Sequence, residues 1–251
     1  MKHLPVAILF DLDDTIIRAY AKPVEAWGRL LSRHRDALEG SVPGADLDAV
    51  RDAILASANA FWRDPAEAAR WRLDIGGARR LVVRDGFARL GHRDDDLAAR
   101  IADAFTEMRH AEYTLYPDAR DTLSTLRRAG VRLALVTNGR GETQRAKIER
   151  FDLAGFFDHI QIEGEFGRGK PEPDVYHHAL GKLGCPAREA WMVGDNLEWE
   201  VVTPQRLGLR GIWYDPDGDG LPAGSGARPD RIIARLADLL IDEAAARASA
   251  T

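Results

Sequence analysis

The sequence predicts an α/β protein: a parallel sheet covered by helices on both faces, with a separate helical segment inserted after the first strand. Three observations predict it. Short apolar runs bounded by turn residues recur along the chain, and helical patterns separate the later ones. The stretch from about Ala19 to Met108 carries helical periodicity and no convincing strand. Strands that are apolar throughout and alternate with helices belong to a sheet buried on both faces.

The first run, Val6–Phe10, ends abruptly in Asp11, Asp13 and Asp14. Like charges this close disfavour one another's ionised forms, so a compensating cation is expected. In the inserted segment, Trp27, Leu30, Leu31 and Leu38 fall near one helical stripe. So do Leu47, Val50, Ile54 and Phe61, and later Leu97, Ile101, Phe105 and Met108. A small helical bundle is therefore expected over 19–109, set into a core of 1–18 and 110–251. Leu81–Val83 fits either a strand or a helix.

Further strands are expected at Val131–Thr137, His159–Glu163, Ala190–Val193 and Leu209–Tyr214. A helix over Thr122–Ala129 has Asp118 in its N-cap region and Gly130 as its stop. Helices over Glu142–Asp152 and Asp174–Leu183 follow, the second stopped by Gly184, and another is broken or restarted at Pro204. Asp215–Pro229 reads as a Gly/Pro loop, and the tail after Asp242 as alanine-rich, helical or frayed.

The 251 residues are 45% hydrophobic and 30% charged, a globular composition with ample apolar mass. A net charge of -5 argues against nucleic acid as a non-specific partner. The one cysteine, Cys185, cannot make an internal disulfide, which suits a reducing cytoplasm, and it reads as a buried, inert thiol. No apolar run approaches membrane-span length, and the N-terminal stretch is too short and too acidic for a signal peptide.

Ligands of open α/β sheets bind at the carboxyl ends of the strands. Here those ends read Asp11-Leu12-Asp13, Thr137-Asn138-Gly139 and Gly194-Asp195-Asn196, and Lys170 follows the His159 strand. A hard divalent ion, Mg²⁺, would relieve the repulsion among Asp11, Asp13 and Asp195, and no Cys/His cluster suggests zinc. A hydroxyl, helix-start amides and a lysine suit a phosphate. Asp14 is expected to face away, since neighbours on an extended segment alternate sides.

FDLDDT, VTNG, the lysine of GKPEPD and VGDN, in this order, resemble the four motifs of the haloacid dehalogenase (HAD) superfamily of hydrolases. The helical insertion resembles that family's C1-type cap. The resemblance covers essentially the whole chain and implies a Rossmann-like core. It implies Asp11 as the nucleophile that forms an aspartyl-phosphate and Asp13 as the general acid/base. Thr137 and the Asn138 amide match the phosphoryl-binding pair, and Lys170 the cation that neutralises Asp11. Asp195 matches the principal acidic Mg²⁺ ligand, beside the Asp11 carboxylate and the Asp13 backbone carbonyl. Thr15 matches a position next to the turn that couples cap to core. Where the family's last motif usually carries a second aspartate, this sequence has Glu200, one methylene longer. Whether Glu200 reaches a metal-bound water or Lys170 stays open, and Asn196 is expected in the same supporting set.

The implied function is Mg²⁺-dependent hydrolysis of a small phosphorylated metabolite by a cytoplasmic monomer or homodimer, with the cap closing over the site. A 2-haloacid dehalogenase would share Asp11, but that branch typically lacks the second aspartate, so Asp13 argues against it. A phosphomutase would use the same motifs, and a non-catalytic metal- or phosphate-binding module would use the same fold. Two motif-like stretches lead elsewhere. Gly164–Pro171 ends in a proline where a phosphate loop needs a hydroxyl, and Asp215–Gly220 lacks the glutamate of an EF-hand. Arg63, Trp71, Arg72, Arg79 and Arg80 cluster in sequence as candidates for substrate choice, whereas Trp27, Trp62, His177 and His178 read as structural.

Overall fold

Asp11 follows a strand of four fully buried residues, β1 (Ala7–Phe10), which lies inside a parallel sheet. In the computed structural model, which describes residues 4–242 except 21, 43 and 45, the chain forms two compact units. One comprises the residues up to Arg18 and those from Thr114 onward; the other is Ala19–Tyr113. The alanine-rich tail after Asp242 lies outside the described residues.

The remaining strands of the first unit are β2 (Ile17–Arg18), β3 (Thr114–Leu115), β4 (Arg132–Thr137), β5 (His159–Ile162), β6 (Ala190–Gly194), β7 (Arg210–Tyr214) and β8 (Arg231–Ile233). Six strands form one sheet in the order β5-β4-β1-β6-β7-β8, every pairing parallel. Phe10 is in register with Leu135 and Val193, which brings the residues after β1, β4 and β6 to one edge. The strand order reverses beside β1, where a ligand crevice forms in such sheets. β8 is absent from the sequence expectation because it has only three residues and opens on an arginine. The antiparallel pair β2/β3 is equally invisible, since two residues show no period.

The second unit is helical: α1 (Pro23–Arg33), α2 (Arg35–Ser41), α3 (Leu47–Arg63), α4 (Pro65–Trp71), α5 (Ile75–Arg89) and α6 (Asp95–Glu112). Leu30, Val50, Ile54, Val83, Phe87 and Ile101 share one buried core, and the rings of Trp27 and Phe105 stack at 3.7 Å. Leu81–Val83 lies inside α5. α6 carries this unit to Tyr113, past residue 109, where the sequence periodicity ends it.

The sheet is covered by α7 (Ala119–Arg128), α8 (Gly141–Arg150), a short α9 (Glu163–Phe166), α10 (Pro173–Leu183) and α11 (Thr203–Arg206). Leu9, Val136 and Met192 pack with Val175, Tyr176 and Ala179 of α10. α10 stops at Gly184, whose left-handed backbone (φ 58°) costs no side-chain clash. Asp118 stands at the N-cap position of α7, but its carboxylate accepts from the Ala237 amide rather than from its own helix. Pro204 lies in the first turn of α11, after a π-helical turn at Leu197–Val202. No described helix is long and apolar enough to cross a membrane. Cys185 is buried, and burial pushes its thiol pKa up.

Gly211 lets β7 pass close to that π-helical turn. A Cβ at Gly211 would lie 2.7 Å from Val201 Cα and 3.0 Å from Val201 O. These are backbone atoms, so relief needs a strand or the turn to move. Gly211→Ala is expected to lower stability by about 1–3 kcal/mol in urea unfolding. An unchanged midpoint would show that the turn carrying Glu200 is free to shift.

Candidate active site

The loop after β5 delivers Lys170 to the sheet edge, and two contacts fix that loop. The Asn138 side chain grips the Lys170 backbone from both sides: Nδ2 donates to Lys170 O at 2.8 Å, and Lys170 N donates to Oδ1 at 2.7 Å. The Gly139 amide donates to Glu163 Oε2 at 3.0 Å. Lys170 itself is 0% exposed. Its Nζ donates to Asp11 Oδ1 at 2.6 Å and to Glu200 Oε1 at 2.7 Å. Glu200 Oε2 accepts from the Asn196 amide at 2.8 Å. Gly194 makes room for this glutamate, because a Cβ there would sit 2.2 Å from Glu200 Cγ. The open choice for Glu200 thus resolves to contact with Lys170, and the π-helical turn is what turns it inward.

Burial pushes the Asp11 carboxyl up, and Lys170 pulls it part of the way back. Burial would strip Lys170 of its proton, yet Asp11 and Glu200 more than offset that and hold it above its ordinary value. Glu200 is raised by burial to about 7, even with Lys170 against it. Asp195 is open to solvent, but desolvation and then the charges of Glu200, Asp11 and Asp14 hold its carboxyl well above the usual range.

Three carboxyls, Asp11, Asp195 and Glu200, are thus shifted upward around one ammonium, so a second cation near them would favour their ionised forms. Among the described residues no three His, Cys, Asp or Glu side chains gather as a metal cluster. The carboxylates of Asp11 and Asp195 lie close enough to feel one another, and oxygen donors of this kind fit a hard cation such as Mg²⁺.

Asp13 lies in a different environment. Lys147 Nζ donates to both its oxygens, at 2.8 and 2.7 Å, and Gln144 Nε2 donates to Oδ2 at 3.0 Å. Gln144 Nε2 also donates to Thr137 Oγ1 at 2.6 Å, tying the expected acid/base to the expected phosphate-binding hydroxyl. Sequence reasoning passed over Gln144 and Lys147. Their signal is their spacing: two polar residues three apart share a helix face, and on α8 that face is buried.

Thr15 is buried, and its hydroxyl has no hydrogen-bond partner among the described residues. Asn196 caps the π-helical turn, its Oδ1 accepting from the Glu198 and Trp199 amides. Asp14 sits in a turn with left-handed backbone (φ 55°), so side alternation does not govern it, and its charge is felt at Asp195. Arg79 and Arg80 take different partners. Arg80 pairs with Asp103 through two bonds, while Arg79 donates to Thr106 and lies over the Phe105 ring. In the loop after β7, the Asp215 carboxylate accepts from the Asp219 and Gly220 amides, and Asp217 pairs with Arg18.

Residues 6–208 match the family model of haloacid dehalogenase-like hydrolases. The chain is 37% identical over 170 residues to phosphoserine phosphatase of Thermus thermophilus, a match covering 67% of this chain and 66% of that protein. It is 31% identical to ribulose-1,5-bisphosphate 5-phosphatase of Halopiger xanaduensis, covering 85% and 86% of the two chains. The structure resembles that of a 2-haloacid dehalogenase from Pseudomonas syringae pv. Tomato DC3000 with a TM-score of 0.60 and 26% identity, covering 97% and 99%.

Glu200 has a consequence for stability. Its folded pKa, about 7, lies above the ordinary carboxyl value, so the folded state binds the proton more tightly. That contribution is fully present below the unfolded pKa and is lost as pH rises through 7. Glu200→Gln fixes the neutral form. In urea unfolding with EDTA, the variant's stability relative to wild type is expected to improve by about 2–3 kcal/mol between pH 5 and pH 8. A difference that stays constant with pH would contradict this.

Proposed function

The chain belongs to the haloacid dehalogenase-like hydrolases, and on that footing we propose that it is a Mg²⁺-dependent phosphomonoesterase acting on a small phosphorylated metabolite. The observation that carries this is the buried Lys170 between Asp11 and Glu200. Its Nζ bonds Asp11 Oδ1 directly, offsets part of the effect of burial on that carboxyl, and brings positive charge to where phosphoryl oxygens would gather. The two relatives named above are phosphatases of different metabolites, which supports the reaction class and leaves the substrate no narrower.

In the proposed reaction, an Asp11 oxygen attacks phosphorus while the bond from phosphorus to the leaving oxygen breaks. Asp13 gives its proton to that oxygen, and an aspartyl-phosphate remains. Asp13 then takes a proton from water as the water oxygen bonds to phosphorus. The bond to Asp11 breaks, inorganic phosphate leaves and the carboxylate is restored. Thr137 and the Asn138 amide bind the phosphoryl oxygens. The Asp11 and Asp195 carboxylates and the Asp13 backbone carbonyl would hold Mg²⁺, which supplies charge neutralisation for the transferring group. Glu200 and Asn196 support the site by fixing Lys170. The helical unit Ala19–Tyr113 is proposed to be the C1-type cap. A single free cysteine suits a reducing compartment, and the cytoplasm is the proposed location.

Phosphate release from p-nitrophenyl phosphate tests this reading. Wild type is expected to turn over with Mg²⁺ and to stop with EDTA. Asp11→Asn is expected to lose on the order of 10³-fold or more in kcat. Equal activity in the variant would overturn the assignment of Asp11. Halide release from 2-haloacids by a wild type silent on phosphate esters would move the reading to dehalogenation.

A further inference from the structure

Helix α8 buries a lysine and a glutamine, which a surface helix ordinarily does not do. Lys147 is 4% exposed and Gln144 is 2% exposed. Burying an ammonium is costly unless an anion meets it. Here the anion is Asp13, met symmetrically at both oxygens by Lys147 and from one side by Gln144. The Asp13 backbone lies in a turn closed by hydrogen bonds from Asp14 N to Ile17 O at 2.6 Å and from Ile17 N to Leu12 O at 2.9 Å. On that fixed backbone, both oxygens of the Asp13 carboxylate are held by donors from α8. The same Gln144 nitrogen reaches Thr137 Oγ1, so one helix face registers the Asp13 carboxylate against a hydroxyl of the neighbouring strand.

We propose that Lys147, assisted by Gln144, is the positioning residue for proton transfer by Asp13. The inference rests on the phosphatase reading, in which Asp13 protonates the leaving oxygen as its bond to phosphorus breaks. Proton transfer tolerates little misplacement, so an Asp13 carboxylate without its tether loses effect where the leaving group needs the proton. A p-nitrophenolate leaves without help, whereas an unsubstituted phenolate does not.

The test is kcat/KM for a series of substituted phenyl phosphates, which reports steps up to the first phosphoryl transfer. For Lys147→Met, activity on phenyl phosphate is expected to fall at least about tenfold more than activity on p-nitrophenyl phosphate. The dependence on leaving-group pKa thus steepens, and Lys147→Arg, which can still bond both oxygens, restores most of the difference. A merely structural role would lower all substrates alike. Equal losses, no loss, or a gain in Lys147→Met would overturn the inference. Should that variant fail to fold by circular dichroism, Lys147→Gln carries the same expectation, since it removes the charge and keeps a hydrogen-bonding side chain. A wild type silent on the whole series would overturn the phosphatase reading and this inference with it. A wild type that turns over, with equal losses in the variants, would overturn this inference alone.

Discussion

One buried ammonium, Lys170 Nζ, is what the candidate site depends on. It contacts Asp11 after β1 and Glu200 after β6, and its backbone is gripped by Asn138 after β4. Four chain segments therefore meet at one residue. A buried ion group of this kind contributes little net stability when complete, but removing one member leaves a desolvated charge and costs about 3–5 kcal/mol. Its value lies in placement: it fixes which carboxylates face one another and pulls the Asp11 carboxyl part of the way back from the upward shift that burial causes.

The two aspartates of DLD are held by different lysines, and this separates their environments. Asp11 is nearly buried and lies against Lys170, whereas Asp13 is turned toward Lys147 and Gln144 on α8. Two carboxylates two residues apart thus receive two environments, the usual requirement for one to act as nucleophile and the other to move protons. Desolvation, and then the charges of Glu200, Asp11 and Asp14, raise the Asp195 carboxyl more than Lys170 lowers it, a penalty that a divalent cation at this edge would relieve.

Much of this was legible in the sequence, for identifiable reasons. β1, β4, β5, β6 and β7 are apolar runs long enough to stand out, and strand ends in a parallel sheet locate a site directly. β8 and the β2/β3 pair are too short to carry a period. Glu200 could not be resolved because its direction depends on the π-helical turn at Leu197–Val202, which no residue pattern announces. Gln144 and Lys147 were passed over because polar residues on a helix normally face solvent. Only the structure shows that this face of α8 is turned inward, onto Asp13. Asp14 differs in the opposite sense: its backbone is left-handed (φ 55°), so the alternation of an extended chain does not hold there.

If Lys170 holds Asp11 as the group that receives the phosphoryl moiety, the moiety should be found there when the protein is quenched in acid during turnover and its peptides are mapped by mass spectrometry. A phosphorylated carboxylate is expected at Asp11 in wild type and not in Lys170→Met under the same conditions. Phosphate released with no label on Asp11 at any time point, or label on another residue, would contradict it.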